Sequence, residues 1–431
     1  MVSAEVVNYP LHQEFLSNGL RVLVSPDRSV PVAAVNLWYD VGSRDELPGQ
    51  YGWAHLFEHL MFSGSAHVSS GEHLQLLQNL GGSVNATTWF DRTNYFETLP
   101  VGALDLALWL EADRLGSLAD HLTIESVDTQ REVVKEEKRQ RYDNVPYGDA
   151  MAALVELVFG AEHHYGHTTI GTMEDLAGAS VDAAADFFRT HYRPENAVLT
   201  LVGDFSVKEA FRKAERAFGH LSGGPRRRRP APAGLAPITG LPRRELRGRV
   251  PAESAYLAWR LPVRDTAAFD AADLALGVLG GGQSSRLHQS LVRDRRLLAF
   301  AGGHALPLIG GNSVGLIQLR ALPERGVGDG VDATTVELER LAAEGPTVAE
   351  LDRVKAQFER EWLMDLARFD TRADLLSSFA VLHDDPARIN TRLLELASIG
   401  PNQVRDAAAT LLRTDQRAEL IYRVEATDET L

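Results

Sequence analysis

A chain of 431 residues with 44% hydrophobic and 24% charged side chains has the means to bury sizeable cores in two to four domains, and is too apolar to be disordered throughout. Asp plus Glu number 59 against 44 Lys plus Arg, a net charge of −15, which disfavours a nonspecific nucleic-acid binder because that function needs a basic face to release phosphate counterions. With 0 cysteines, disulfides, thiolate zinc sites, iron–sulfur clusters and a cysteine nucleophile are excluded together, and any metal must be held by His, Asp or Glu.

The N-terminal stretch has no basic segment leading into an apolar one, so no secretory signal is expected. Nowhere is there an apolar run of about 18 residues, so no membrane span is expected and the cytoplasm is the default location. Arg21–Ser25 and Val32–Asp40, rich in Val and aromatic residues, predict strands. A buried helix is expected around Gly52–Phe62, then a hairpin of Ser83–Phe90 and Thr93–Leu99 turning at Asp91 and Arg92. Helical patterns fill Leu104–Leu118 and Ile124–Tyr142, and Ala197–Val202 reads as a strand. Ser222–Ala236, dense in Gly, Pro and Arg without an apolar period, is the expected linker, and its Arg226–Arg229 run reads as solvated. Beyond it the order repeats: a strand at Ser254–Arg260, a helix at Asp270–Leu279, three glycines from Gly280 to Gly282, and a helix at Ser285–Arg293. The pattern is α+β, with two related α/β half-domains, 1–221 and 237–431, joined by 222–236.

The most informative stretch is His55-Leu56-Phe57-Glu58-His59. At 100° per residue His55, Glu58 and His59 point to one side of a helix while Leu56 and Phe57 point into apolar packing. Two imidazoles four residues apart can share one Zn²⁺, with Glu58 beside it and free of ligation. This inverted order is among the metallopeptidase motifs. A catalytic zinc needs a third protein ligand and an open position. The acid-rich helical stretch from Gln130 to Glu137 offers several glutamates for that place. His163, His164 and His167 lack an acid at helical spacing and read as loop packing. Gly280 to Ser285 looks like a phosphate-cradling loop, but no P-loop lysine follows, so it reads as a turn lining a central cavity. Val84–Trp89 alternates like a strand with one packed face.

Asn18–Val22, Gly52–His59, Met61–Gly64, Gly81–Ala86, Val133–Glu137, Tyr192–Ala197, Leu279–Gly282 and Ser284–Leu287 together resemble the pitrilysin/insulinase family of inverted-motif zinc peptidases. The likeness runs in family order along nearly the whole chain. It is greatest to the short bacterial branch similar to mitochondrial processing peptidase. What this resemblance implies is one half of a clam shell, made of a zinc-binding half-domain and a homologous inactive one. It implies a metalloendopeptidase acting on peptides or unfolded segments, with one Zn²⁺ per chain on His55, His59 and Glu137 and Glu58 as general base. Glu137 is preferred to Glu136 because the family places an aliphatic residue three positions before the ligand, as Val134 is here. In relatives the strand matching Val84–Trp89 is an edge that pairs with extended substrate, so Asn85 and Ala86 carry over as substrate-binding positions.

Two positions depart from the family pattern. Gln130 stands where an acid precedes the third ligand by seven residues. The family's substrate-holding Arg and Tyr become Arg293 and Phe300, which loses the hydroxyl that could bond a substrate carbonyl. The resemblance thus implies a catalytic subunit completed by a homologous subunit that supplies the Arg/Tyr pair, or by a homodimer; from charge and the lack of a long apolar run, no nucleic acid or membrane partner is expected. The competing expectations are a non-catalytic core-type assembly subunit and a peptide-binding module of the same fold. Retention of His55, Glu58, His59 and Glu137 weighs against both.

Overall fold

A computed structural model describes residues 8–225 and 232–425, so the Arg226–Arg229 run lies outside the described residues. The first sheet comprises β1 (His12–Phe15), β2 (Arg21–Pro26), β3 (Val32–Tyr39), β4 (Ser83–Thr88), β5 (Thr93–Pro100) and β6 (Ala197–Gly203). The second comprises β7 (Arg243–Gly248), β8 (Ser254–Leu261), β9 (Leu298–Leu306), β10 (Ser313–Ala321) and β11 (Ala418–Val424). Their orders, β1-β2-β6-β3-β5-β4 and β7-β11-β8-β10-β9, follow one plan, each with a single parallel pair (β2 with β6, β7 with β11) in an otherwise antiparallel sheet. The expected duplication is therefore visible in the topology, with β1 as an addition to the first sheet.

The first-half helices are α1 (Trp53–Leu60), α2 (Glu72–Asn79), α3 (Leu104–His121), α4 (Ile124–Lys138), α5 (Ala150–Phe159), α6 (Met173–Ala177), α7 (Val181–His191) and α8 (Val207–Phe218). In the second half they are α9 (Ala267–Gly280), α10 (Gly328–Glu344), α11 (Val348–Ala367), α12 (Phe369–Leu382), α13 (Arg392–Ala397) and α14 (Pro401–Leu411). Among the described residues no helix is long and apolar enough to cross a membrane.

The central strands β3 and β6 are almost wholly buried, as continuous Val, Leu and Ala runs require when both faces of a sheet are covered. One face of each sheet packs on helices of its own half. The other face is covered by the opposite half. Trp362, Leu366, Phe369, Ala373 and Leu376 of α11 and α12 pack on Leu23, Ala34, Val198 and Val202 of the first sheet. In return Leu154, Val155, Val158 and Phe159 of α5 pack on Ala258, Val314, Leu316 and Leu420 of the second. Asp374 pins α12 in register by accepting hydrogen bonds from Trp38 Nε1 (2.8 Å) and Asn94 Nδ2 (3.0 Å). Each half thus completes its core with helices of the other, α11 and α12 on the first sheet and α5 on the second.

Two helices differ in form from the sequence reading. The helix expected over Ile124–Tyr142 keeps α geometry only to Lys138 and widens into a π turn, Arg139–Asp143. From that turn Arg141 reaches back to Glu137. The segment expected as a helix over Ser285–Arg293 is likewise a π turn, His288–Asp294. The triple glycine does not serve to line a cavity at its first member: a Cβ on Gly280 would lie 2.1 Å from the backbone nitrogen of Gly303, so glycine there permits α9 to approach β9.

Candidate metal centre

Helix α1 starts at Gly52, whose φ of 101° lies in the left-handed region and whose missing Cβ would meet the Ile170 carbonyl at 2.9 Å. Its apolar face, Trp53, Ala54, Leu56, Phe57 and Leu60, is buried, with the Phe57 ring stacked on Phe187 at 5.2 Å. That packing turns His55, Glu58 and His59 away from the core toward α4 and β4. On α4, Val127 and Val134 are the buried anchors. One turn beyond Val134, Glu137 faces the histidines, its Oε2 3.7 Å from His55 Nε2 and 3.4 Å from His59 Nε2. Glu136 points elsewhere, exposed and bonded to Arg139 and Gln140. Arg141 donates to the other Glu137 oxygen at 2.7 Å.

The electrostatics suit metal ligation. Burial, reinforced by the neighbouring His59, pushes the His55 imidazole down to about 4, so it is neutral with a free lone pair at pH 7. Glu137 is held below the usual carboxylate range by its hydrogen bond to His59, against the opposing effect of burial. Burial pushes Glu58 upward, partly offset by Thr88 and the adjacent His59 and Arg92, which makes its carboxylate a stronger proton acceptor than a solvated glutamate. Two imidazoles and one carboxylate, with ligand atoms within 4.8 Å of one another, are a donor set of the catalytic zinc type.

Strand β4 is the edge of the first sheet and packs beside α1. Asn85 is exposed there and its Oδ1 accepts from the Ala86 amide at 2.9 Å, while the Ala86 side chain is buried. The histidines, Glu58, Glu137 and the β4 edge are thus brought together. Arg293 is not among them: it is exposed in the π turn of the second half and pairs with Asp294 at 2.8 Å. Phe300 is also exposed, on the edge strand β9. Helix α9, which follows β8 as α1 follows β3, contains no histidine.

Two features escape sequence reasoning. His73 of α2, Glu97 of β5 and Glu111 of α3 form a second group of His and acidic residues with the ligand spacing of the first, fully buried, with Arg114 paired to Glu111 through both oxygens. Glu46, in the loop before α1, accepts from the backbone amides of Gly52 (2.9 Å) and Ala54 (2.8 Å) and meets His167 Nε2 at 2.9 Å. No local pattern marks either, because each joins elements remote in sequence.

Residues 21–172 match the family described as Insulinase (Peptidase family M16), and residues 178–358 match the Peptidase M16 inactive domain. The zinc protease PqqE of Helicobacter pylori is 31% identical over 87% of this chain and 84% of its own length. The chain belongs to the insulinase family of peptidases. The crystal structure of a protease from Helicobacter pylori superposes with a TM-score of 0.89 at 27% identity, covering 96% of this chain and 99% of that one. The periplasmic protease PqqL from Escherichia coli shares the fold at a TM-score of 0.75 and 18% identity, with 97% of this chain matching 48% of that chain. The present chain is thus a clam-shell half.

Proposed function

We propose that this protein is a zinc-dependent metalloendopeptidase that hydrolyses peptides or unfolded segments. The observation that carries this reading is the convergence of His55, His59 and Glu137 with Glu58 on the same helix face. Zinc bound by those three side chains would supply Lewis acidity, acidifying a water and polarising the scissile carbonyl. Glu58, its carboxylate disfavoured by burial, takes the proton from the attacking water and delivers it to the leaving amine. The β4 edge holds the peptide by main-chain pairing at Asn85 and Ala86, which aligns an extended substrate without demanding particular side chains. The Asn85 side chain now on the Ala86 amide has to yield to a substrate carbonyl.

The second half does not complete the site within one chain. Phe300 offers a ring and no hydroxyl, and Arg293 is tied to Asp294. A homologous subunit contributing Arg and Tyr, or a homodimer, closes the chamber and excludes water from it. The match to about half of a longer protease chain supports such pairing. The test measures zinc content and turnover of an unstructured peptide library for the chain alone, the chain with a homologous subunit bearing the Arg/Tyr pair, and Phe300→Tyr. One zinc per chain with turnover raised by the subunit or by Phe300→Tyr is expected. A zinc-loaded assembly without turnover would mark a non-catalytic subunit.

A further inference from the structure

We propose that Glu46 and His167 are positioning residues that clamp the zinc helix α1 and set the placement of His55 and His59; this rests on the zinc reading above. The helix is only two turns long, and its cap residue, Gly52, has no side chain to satisfy the first amides. Glu46 takes that role from outside the helix. Its side chain is 0% exposed and uses both oxygens, Oε2 on the Gly52 amide and Oε1 on the Ala54 amide, the residue immediately before His55. A carboxylate at this end also complements the helix dipole.

His167 locks the carboxylate in place. Its Nε2 lies 2.9 Å from both Glu46 Oε2 and the Ser43 carbonyl, so this nitrogen carries a proton, since the carbonyl can only accept. The ring stacks on Tyr51 with centroids 3.9 Å apart, which fixes its plane. The loop bearing His167 is itself anchored to the second half: His164 Nε2 is 3.0 Å from the Gly310 carbonyl, and the Gly310 amide donates to Tyr165 Oη at 2.6 Å. The second half is therefore linked to the start of α1 through the 164–167 loop backbone and the His167–Glu46 contact. A buried carboxylate costs several kcal/mol in desolvation, and here its contacts are directed at the element that carries both imidazoles and Glu58.

Glutamine at position 46 keeps the shape but has one acceptor oxygen, so it cannot receive from Gly52, Ala54 and His167 together. The experiment compares the full chain with Glu46→Gln, His167→Ala and His167→Gln, using Asp270→Asn as a control. Asp270 is buried in a pair with Arg392 in the second half, so that variant loses stability without touching α1. Zinc affinity is measured by chelator competition, and amide exchange is followed over residues 53–60 in the metal-free protein. Glu46→Gln and His167→Ala are expected to weaken zinc about 10- to 100-fold and to speed exchange in 53–60, with His167→Gln restoring part of both. Asp270→Asn should lower Tm and change neither. Wild-type zinc affinity in folded Glu46→Gln or His167→Ala overturns the proposal. Should the unaltered chain bind no zinc, the peptidase reading fails and exchange alone decides the clamp, with unchanged exchange over 53–60 overturning it. If Glu46→Gln does not fold, His167→Ala, which leaves the carboxylate in place, decides between the same two outcomes.

Discussion

His55, His59 and Glu137 are partly accessible, with side chains 12%, 24% and 17% exposed, whereas the side chains of His73, Glu97 and Glu111 are 5%, 0% and 0% exposed. The imidazole-to-carboxylate separations in the two groups are similar, 3.4 to 3.7 Å in the first and 3.7 to 3.8 Å in the second. The cation beside each also differs, since in the first group the exposed Arg141 donates to only one Glu137 oxygen. The second group contains its own cation, because Arg114 binds both oxygens of Glu111 and lies over the rings of Phe62 and Tyr95. Burial, with Glu111 beside it, pushes Glu97 well above the carboxylate range. The second group thus has a buried cation on one of its carboxylates and is closed to solvent. The first has one carboxylate, two imidazoles and an open side. The contrast teaches that ligand spacing alone does not single out a candidate metal centre; the two groups differ in access to solvent.

The sharpest way to break this contrast is His59→Ala. Bound zinc should fall from one equivalent to none while far-UV circular dichroism stays near wild type. A full equivalent by elemental analysis would mean that the metal sits elsewhere, the His73 group included. Next in size is Glu58→Gln, which keeps the ligands and removes the proton acceptor. Peptide turnover should drop about 10²-fold or more with zinc content unchanged. Wild-type turnover would assign the proton transfer to another group.

Glu111→Gln probes the buried group. It leaves Arg114 as an uncompensated buried cation, and destabilisation of about 3–5 kcal/mol is expected in urea unfolding, with zinc content of the folded fraction unchanged. A variant as stable as wild type would mean that Arg114 does not depend on Glu111 for its compensation. The smallest effect is a pH dependence. Burial, with Arg114 beside it, pushes His73 down to about 3. The unfolded chain protonates this imidazole near its ordinary pKa of about 6.5, and the folded chain resists until about 3. Its contribution to stability is thus complete above about 6.5 and is lost as pH falls toward 3. Glu97 has the opposite sign: its raised pKa favours the fold at low pH, and that benefit is lost as pH rises through the folded value. His73→Gln should flatten the acid limb of stability in metal-free protein, and an unaltered limb would assign the acid sensitivity to other groups.

Much of this was legible in one dimension. The placement of His55, Glu58 and His59 on one side of a helix follows from 3.6 residues per turn and from the apolar Leu56 and Phe57 between them. The strands flanking the site and the β4–β5 hairpin followed from alternation and composition, and the missing cysteines had already limited the ligand types. Tertiary structure decided what local pattern could not encode. Glu137 rather than Glu136 faces the histidines because burial of Val127 and Val134 sets the roll of α4 against α1. The exchange of α5 and α12 between the sheets depends on whole apolar faces meeting across the chain. The Glu46–His167 pair joins residues 121 positions apart, and His73, Glu97 and Glu111 come from three separate elements. Periodicity reports which way a side chain points from its own helix or strand. What it points at is set by how those elements dock, and docking is governed by burial summed over faces that are discontinuous in sequence.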